Sequence, residues 1–242
     1  MRLVAGERPV PVDLVRGVRK LAGGADPLSV DHGPERGSSL ANPAIAEIVG
    51  DREIGTWALG RRTLGWLERQ LVARRPRVVL EFGSGVSTVV LAWAMRSFGR
   101  DHTRPAIISI EQSADHAKAT SELITRSGLD PFVQVIVAPL SAQRIEQVET
   151  LCYDLPDLTL VLDGRQIDFV LIDGPAAETG ARFGTLPLVR QWLSPNAYFA
   201  LDDGLRDGEL DIASRWTSLE YIKVEGLVLV EKGLVVGHAR GA

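Results

Sequence analysis

From residue 77 onward the chain alternates short apolar runs with turn residues and helix-length stretches. Val78, Val79, Leu80 and Phe82 form the first run, too short for a helix and rich in β-branched and aromatic residues, so it reads as a buried strand. Residues 106–111 (AIISIE), 132–138 (FVQVIVA), 167–173 (IDFVLID) and 197–202 (AYFALD) repeat the pattern. Helices are expected between them, opening at Ser87 or Thr88, over 114–126, over 183–193 and over 204–216. This alternation implies a parallel sheet covered on both faces. The end differs: 218–224 and 227–236 read as strands joined only by Glu225 and Gly226, a link that permits only an antiparallel hairpin.

Before residue 77 the pattern is helical. Leu14, Val15, Val18 and Leu21 mark one apolar face, Trp57, Leu64, Leu67 and Leu71 another, and Asn42–Pro43 reads as a helix start. The intervening 31–42 (DHGPERGSSLAN) has no periodicity and reads as a loop, a connector or a lid, whose acid-base groups are His32, Glu35 and Arg36. The chain thus divides into an N-terminal helical extension, 1–75, and a main domain, 76–242. Within the latter, 139–166 mixes a helical start with an edge-strand run at 159–162, and its Cys152 reads as a packed small hydrophobe.

Composition narrows the class. The 242 residues are 45% hydrophobic and 24% charged with net charge −4, which fits one soluble α/β domain with an appended segment. The acidic balance gives no footprint for nucleic acid or an anionic membrane. A single cysteine rules out an intrachain disulfide and a cysteine-rich metal site. No apolar stretch approaches the ~18 residues of a membrane span, and MRLVAGERPVP has no signal-peptide core, so the cytoplasm is expected.

The chemistry centres on the first strand and the turn after it, Glu81-Phe82-Gly83-Ser84-Gly85, which opens directly into a helix. Two glycines allow close backbone approach, and the helix start directs free N–H groups and partial positive charge at the turn. The phosphate-loop ending is absent, since Val86, Ser87 and Thr88 follow Gly85. The dinucleotide pattern fails at its third glycine, where Thr88 stands, and Glu111 lies beyond the usual ~20-residue spacing. What remains is acid-x-Gly-x-Gly followed by a second strand ending in an acid.

This resembles the first motif of the class I S-adenosylmethionine-dependent methyltransferases, and a parallel α/β sheet finishing in a reversed hairpin extends the resemblance from residue 77 to the C-terminus. It implies a Rossmann-like, mostly parallel sheet with helices on both faces. Glu81 then belongs to the cofactor motif. Gly83, Ser84 and Gly85 would approach the methionine part, with Ser87 or Thr88 near its carboxylate. Glu111 would accept from both ribose hydroxyls, Ala138 would lie against the adenine, and Asp173 would face the reacting methyl.

Asp173, Asp202 and Asp203 resemble the metal-binding set of catechol O-methyltransferase-like enzymes and of some sugar and macrolide O-methyltransferases, which makes Mg²⁺ a candidate second cofactor. Successive strand residues point to opposite faces, so Asp202 and Asp203 share an ion only if the chain turns between them. The better-known site has Asn in place of Asp203 and a nearby lysine where this chain continues Gly174, Pro175, Ala176. In the alternative, one of the pair caps the following helix and the other holds Arg206. Without a metal, Asp173, Asp203 or His32 is the candidate general base. His102, His116 and His238 read as peripheral, and Trp57, Trp66 and Trp192 as core rather than acceptor pocket.

The expected activity is methyl transfer from S-adenosylmethionine to a small-molecule hydroxyl, with neither nucleic acid nor membrane as partner. Asp173-Gly-Pro175-Ala also departs from the Asp/Asn-Pro-Pro-aromatic pattern of nucleobase methylation. Three alternatives compete: a cofactor- or nucleotide-binding protein without catalysis, an NAD-dependent oxidoreductase, and aminopropyl transfer, which lacks its acidic pair here. The sequence names neither the acceptor nor the oligomeric state.

Overall fold

A computed structural model describes residues 2–4, 6–21, 29–31, 59–99 and 104–240. At its start, β1 (Arg2–Val4) and β2 (Gly6–Val10) precede α1 (Val12–Leu21), and β3 (Ser29–Asp31) pairs in parallel with β1. Next, α2 (Arg61–Arg74) buries Leu64, Trp66, Leu67 and Leu71. His32, Glu35, Arg36, the Asn42–Pro43 start, Trp57 and His102 lie outside the described residues.

The alternating part follows the hydrophobic runs: β4 (Val79–Phe82), α3 (Val86–Arg96), β5 (Ile107–Glu111), α4 (Ala114–Arg126) and β6 (Val133–Val137). A hairpin of β7 (Leu140–Ile145) and β8 (Val148–Tyr153) comes next, then a single turn, α5 (Thr159–Leu162), before β9 (Ile167–Ile172). The chain ends with α6 (Thr185–Val189), β10 (Leu193–Leu201), α7 (Asp207–Trp216), β11 (Ile222–Leu229) and β12 (Leu234–Ala239).

Among the described residues the main sheet has eight strands in the order β2-β11-β12-β10-β9-β4-β5-β6. From β10 to β6 neighbours are parallel, while β12, β11 and β2 each run antiparallel to the strand before. Chain order reverses between β4 and β9, and open α/β sheets bind their ligands in the crevice at the strand carboxyl ends beside such a point. Side chains alternate as the pleat requires. Leu80, Phe82, Ile108, Ile110, Val170, Ile172, Phe199 and Leu201 pack on one face, where the Trp216 ring of α7 lies edge-on to Phe199 with centroids 5.4 Å apart. Val79, Ile107, Phe169, Leu171 and Tyr198 pack on the other, with Leu64 and Trp66 of α2 and Val89 and Val90 of α3.

Six expectations about elements need correction. The N-terminal extension is not wholly helical, since β2 extends the sheet beside β11. Glu225 and Gly226 are not the hairpin turn: β11 runs through them, with a bulge between Val224 and Gly226. Gly226 has φ 142°, and any side chain there would collide with the Val10 carbonyl of β2, so the glycine serves strand docking. The real turn is 230–233, where Glu231 and Gly233 take positive φ. Residues 159–162 are helical rather than an edge strand, and the helical start expected after 139 is the β7–β8 hairpin. The expected 183–193 helix is α6 with short 3₁₀ segments on both sides, because Pro187 cannot donate to the ladder. The last helix starts at Asp207 rather than 204.

Candidate functional site

The β4–α3 turn packs directly on the end of β9. Gly83 has φ +88°, and a Cβ there would lie 3.2 Å from the Asp173 carbonyl carbon and the Gly174 nitrogen. Only glycine joins the required conformation to so close an approach. Its N–H bonds Ile110 O at 2.8 Å, and Asp173 N–H bonds Phe82 O at 2.9 Å, so the three strand ends are registered around the turn.

Glu81 points to the α3 face and is fully buried. Its Oε2 accepts from the Thr88 hydroxyl at 2.6 Å and the Ser109 hydroxyl at 2.7 Å, while Thr88 Oγ1 accepts from Gly85 N–H at 3.0 Å. Burial pushes the Glu81 carboxyl up to about 7, against the opposing pull of the Ser87, Thr88 and Ser109 hydroxyls. It braces the turn from beneath rather than lining the crevice.

Glu111 ends β5 beside the turn. Its Oε2 accepts from Ser84 N–H at 2.9 Å and the Ser84 hydroxyl at 3.0 Å, and its Oε1 from Ser113 N–H at 2.9 Å. Ser84 Oγ also lies 3.0 Å from Thr120 Oγ1 of α4. Gln112 exchanges two bonds with the Ala176 backbone, 2.9 and 3.1 Å, tying the β5 end to the segment after β9. Ser87, Thr88 and Ala138 are buried around this turn and the end of β6. His116 is exposed on α4, and His238 pairs with Glu225 at 3.0 Å.

Asp173, Asp202 and Asp203 follow β9 and β10. The chain turns between the last two, with Asp203 at φ +59°, and the three offer carboxylate oxygens within 4.8 Å of one another. Basic side chains close the cluster. Arg182, itself buried, donates to Asp173 O at 3.0 Å, Asp202 O at 3.2 Å and Asp203 Oδ2 at 3.1 Å, and lies 3.7 Å from Glu209 Oε1. Arg206 reaches Asp203 Oδ2 at 2.8 Å, as in the ion-pair alternative. Lys232 Nζ stands 3.7 Å from Asp202 Oδ2 and 3.5 Å from Asp203 Oδ1. Burial and the adjoining Asp203 push the Asp202 carboxyl up to about 6, and burial and Asp202 hold Asp173 well above the usual carboxylate range. Burial works against the Arg182 charge, but its four carboxylate neighbours outweigh that and keep it protonated.

Arg182, Lys232, Glu209 and Tyr153 escaped the sequence reading. Arg182 stands in the short 3₁₀ segment before α6 and Lys232 in a turn read as strand, so neither had a motif to carry it. Tyr153 arrives on β8: its ring lies 5.3 Å from that of Phe82, and a side chain at Gly174 would collide with its hydroxyl. Cys152 is buried, and burial pushes its thiol up to about 11, as befits a packed hydrophobe. Trp66 is core, and Trp192 precedes β10 at the opposite end of that strand from Asp202. A 570 Å³ cleft lined by Arg74, Arg77, Asp168 and Tyr198 also sits at the amino ends of the strands, away from the crevice.

A glycine turn, an acid at the next strand end and a carboxylate after the fourth strand, all at one switch point, repeat the arrangement inferred from the sequence. Residues 80–204, just over half of the chain, match the model of the family described as a methyltransferase domain. The chain belongs to that family. No curated protein matches it. Among solved structures, this methyltransferase is similar to one from Geobacter sulfurreducens at 18% identity and TM-score 0.57, covering 97% of this chain and 100% of that one. The O-methyltransferase from Bacillus cereus, in complex with SAH, gives 14% and 0.57 with 95% and 100% covered. SAH-bound PaMTH1 from Podospora anserina gives 16% and 0.58 with 96% and 97% covered. These likenesses establish the fold of the methyltransferase, the mostly parallel sheet with its antiparallel C-terminal hairpin. No helix among its described residues is long and apolar enough to cross a membrane.

Proposed function

We propose that the chain transfers the methyl group of S-adenosylmethionine to a hydroxyl oxygen of a small-molecule acceptor. The observation that carries this reading is the pairing of the Gly83 turn with Glu111 on one side and Asp173 on the other. The space beside Gly85 is open, since a Cβ there would meet no atom within 4 Å, and the Glu111 carboxylate, an acceptor with two oxygens, suits a ribose diol. The backbone N–H groups at the start of α3 suit the methionine carboxylate, while the Ser87 and Thr88 hydroxyls are turned to Glu81 beneath the turn and Ala138 is fully buried at the end of β6. Descriptions of relatives such as the SAH-bound O-methyltransferase from Bacillus cereus support the same choice of cofactor and acceptor atom.

The cofactor supplies an activated methyl on a sulfonium. The chain orients the acceptor and takes its proton. Asp173 suits the role of base, because burial and Asp202 raise its affinity for a proton, and at 15% side-chain exposure it is the most accessible of the three acids. As the acceptor O–H proton passes to Asp173, the oxygen forms its bond to the methyl carbon and the sulfur–methyl bond breaks, leaving S-adenosylhomocysteine. Asp203 Oδ2, committed to Arg182 and Arg206, serves positioning instead.

A Mg²⁺ ion on Asp173, Asp202 and Asp203 meets donors of the right kind, and Asp202 Oδ2 and Asp203 Oδ1 are buried with no hydrogen bond among the described residues. The charge does not fit: Lys232 faces both of those oxygens and Arg182 holds the cluster from behind, so an added dication would meet two fixed cations.

The test is incubation with S-adenosylmethionine and a panel of phenols, catechols and sugar alcohols, with mass analysis of the products. Methylation at oxygen is expected. Products methylated only at nitrogen or carbon contradict the acceptor assignment, and absence of any transfer by protein that binds S-adenosylhomocysteine favours the binding-protein alternative.

A further inference from the structure

The acid cluster raises the question of where its positive charge comes from. Because β12 runs antiparallel to β10, the turn before β12 is delivered to the carboxyl end of β10, beside Asp202 and Asp203. The turn is anchored there by its backbone: Gly204 N–H bonds Gly233 O at 2.8 Å and Leu205 N–H bonds Lys232 O at 2.9 Å. On its other side Glu231 accepts from the N–H groups of Arg62 and Thr63 at 3.2 and 3.0 Å, and from the Thr63 hydroxyl at 2.8 Å, so it caps the start of α2, where Gly60 offers no side-chain cap. Lys232 is therefore held by a turn fixed at both flanks. Its ammonium faces the two carboxylate oxygens, Asp202 Oδ2 and Asp203 Oδ1, that are buried without a hydrogen bond among the described residues.

We propose that Lys232 takes the place a divalent cation would hold between Asp202 and Asp203, with Arg182 completing the replacement from the buried side. Arg182 bridges the Asp173 and Asp202 carbonyls and Asp203 Oδ2, joining the ends of β9 and β10 as a shared metal would. Lys232 is a third exposed at the carboxyl end of β10, so its ammonium is the charge offered to an acceptor oxygen as the proton leaves. This last role rests on the methyl-transfer reading above; the replacement of the metal does not.

The experiment is a Mn²⁺ titration of the full chain followed by the electron paramagnetic resonance signal of the free ion, with Mn²⁺ alone as probe. The wild type and Lys232→Arg are expected to take up no Mn²⁺ tighter than about 1 mM. Lys232→Met is expected to gain one site at least about tenfold tighter, lost again in Lys232→Met/Asp202→Asn. Tight Mn²⁺ binding by the wild type overturns the proposal without need of any variant, and so does a folded Lys232→Met that gains no site. Titration of the same preparations with S-adenosylhomocysteine separates the two claims: no binding there removes the methyl-transfer reading and leaves the charge replacement standing on the Mn²⁺ result.

Discussion

Glu111 Oε2 accepts two hydrogen bonds from one residue, the backbone N–H of Ser84 at 2.9 Å and its hydroxyl at 3.0 Å. An acid from the second strand thus fixes the turn after the first, and the same carboxylate is the group proposed to hold the ribose. Glu111→Gln keeps an acceptor for Ser84 but sets an amide NH₂ against Ser113 N–H. S-adenosylhomocysteine affinity is expected to fall about 10- to 100-fold, as for loss of a charged acceptor. Stability should fall by about 1 kcal/mol. Calorimetry and urea unfolding measure the two; unchanged affinity removes Glu111 from the cofactor site.

Gly83→Ala places a methyl 3.2 Å from the Asp173 and Gly174 backbone at φ +88°. The strain costs about 1–3 kcal/mol. A midpoint in urea equal to that of the wild type contradicts the close packing of turn on strand.

Glu81 gives stability a pH dependence of known sign. Its carboxyl rises from the ordinary 4.5 to about 7 on folding, so the native state holds the proton more tightly than the unfolded chain. The contribution is full below pH 4.5 and is lost as pH rises through 7. Between those limits it amounts to about 3 kcal/mol. Glu81→Gln cannot titrate, so its stability relative to the wild type should climb by that amount across the window. Parallel profiles in urea unfolding at pH 4.5 to 8.5 argue that Glu81 is charged in the native state throughout.

Arg182→Leu leaves Asp173, Asp203 and Glu209 without their shared cation. The loss at pH 8 is expected at about 3–5 kcal/mol, the cost of breaking a buried ion pair from one side. At pH 5.5 it should shrink, because Asp202, at about 6, and the raised Asp173 take up protons and relieve the excess charge. Equal losses at both pH values contradict the electrostatic role.

The parallel strands and the glycine turn were legible because each is a local pattern: a short apolar run, two glycines, an acid at a strand end. Glu81, Gly83 and Glu111 lie where their spacing implied, although Glu81 braces the turn instead of facing the crevice. What the sequence hid depends on residues far apart in the chain. Gly226 looked like a turn glycine, but its requirement comes from the Val10 carbonyl on a strand more than two hundred residues earlier. With the turn at 230–233 instead of 225–226, Lys232 reaches the end of β10 beside Asp202, a placement that no local pattern around it encodes. Arg182 is equally silent, since an arginine in a single 3₁₀ turn acquires its role only when β9 and β10 end side by side.

The central claim is that the crevice between β4 and β9 holds S-adenosylmethionine. Calorimetric titration of the purified chain with S-adenosylhomocysteine, with NAD as the control ligand, tests it most directly. The account predicts a single saturable site for S-adenosylhomocysteine and none for NAD; binding of NAD alone, or of neither ligand, contradicts it.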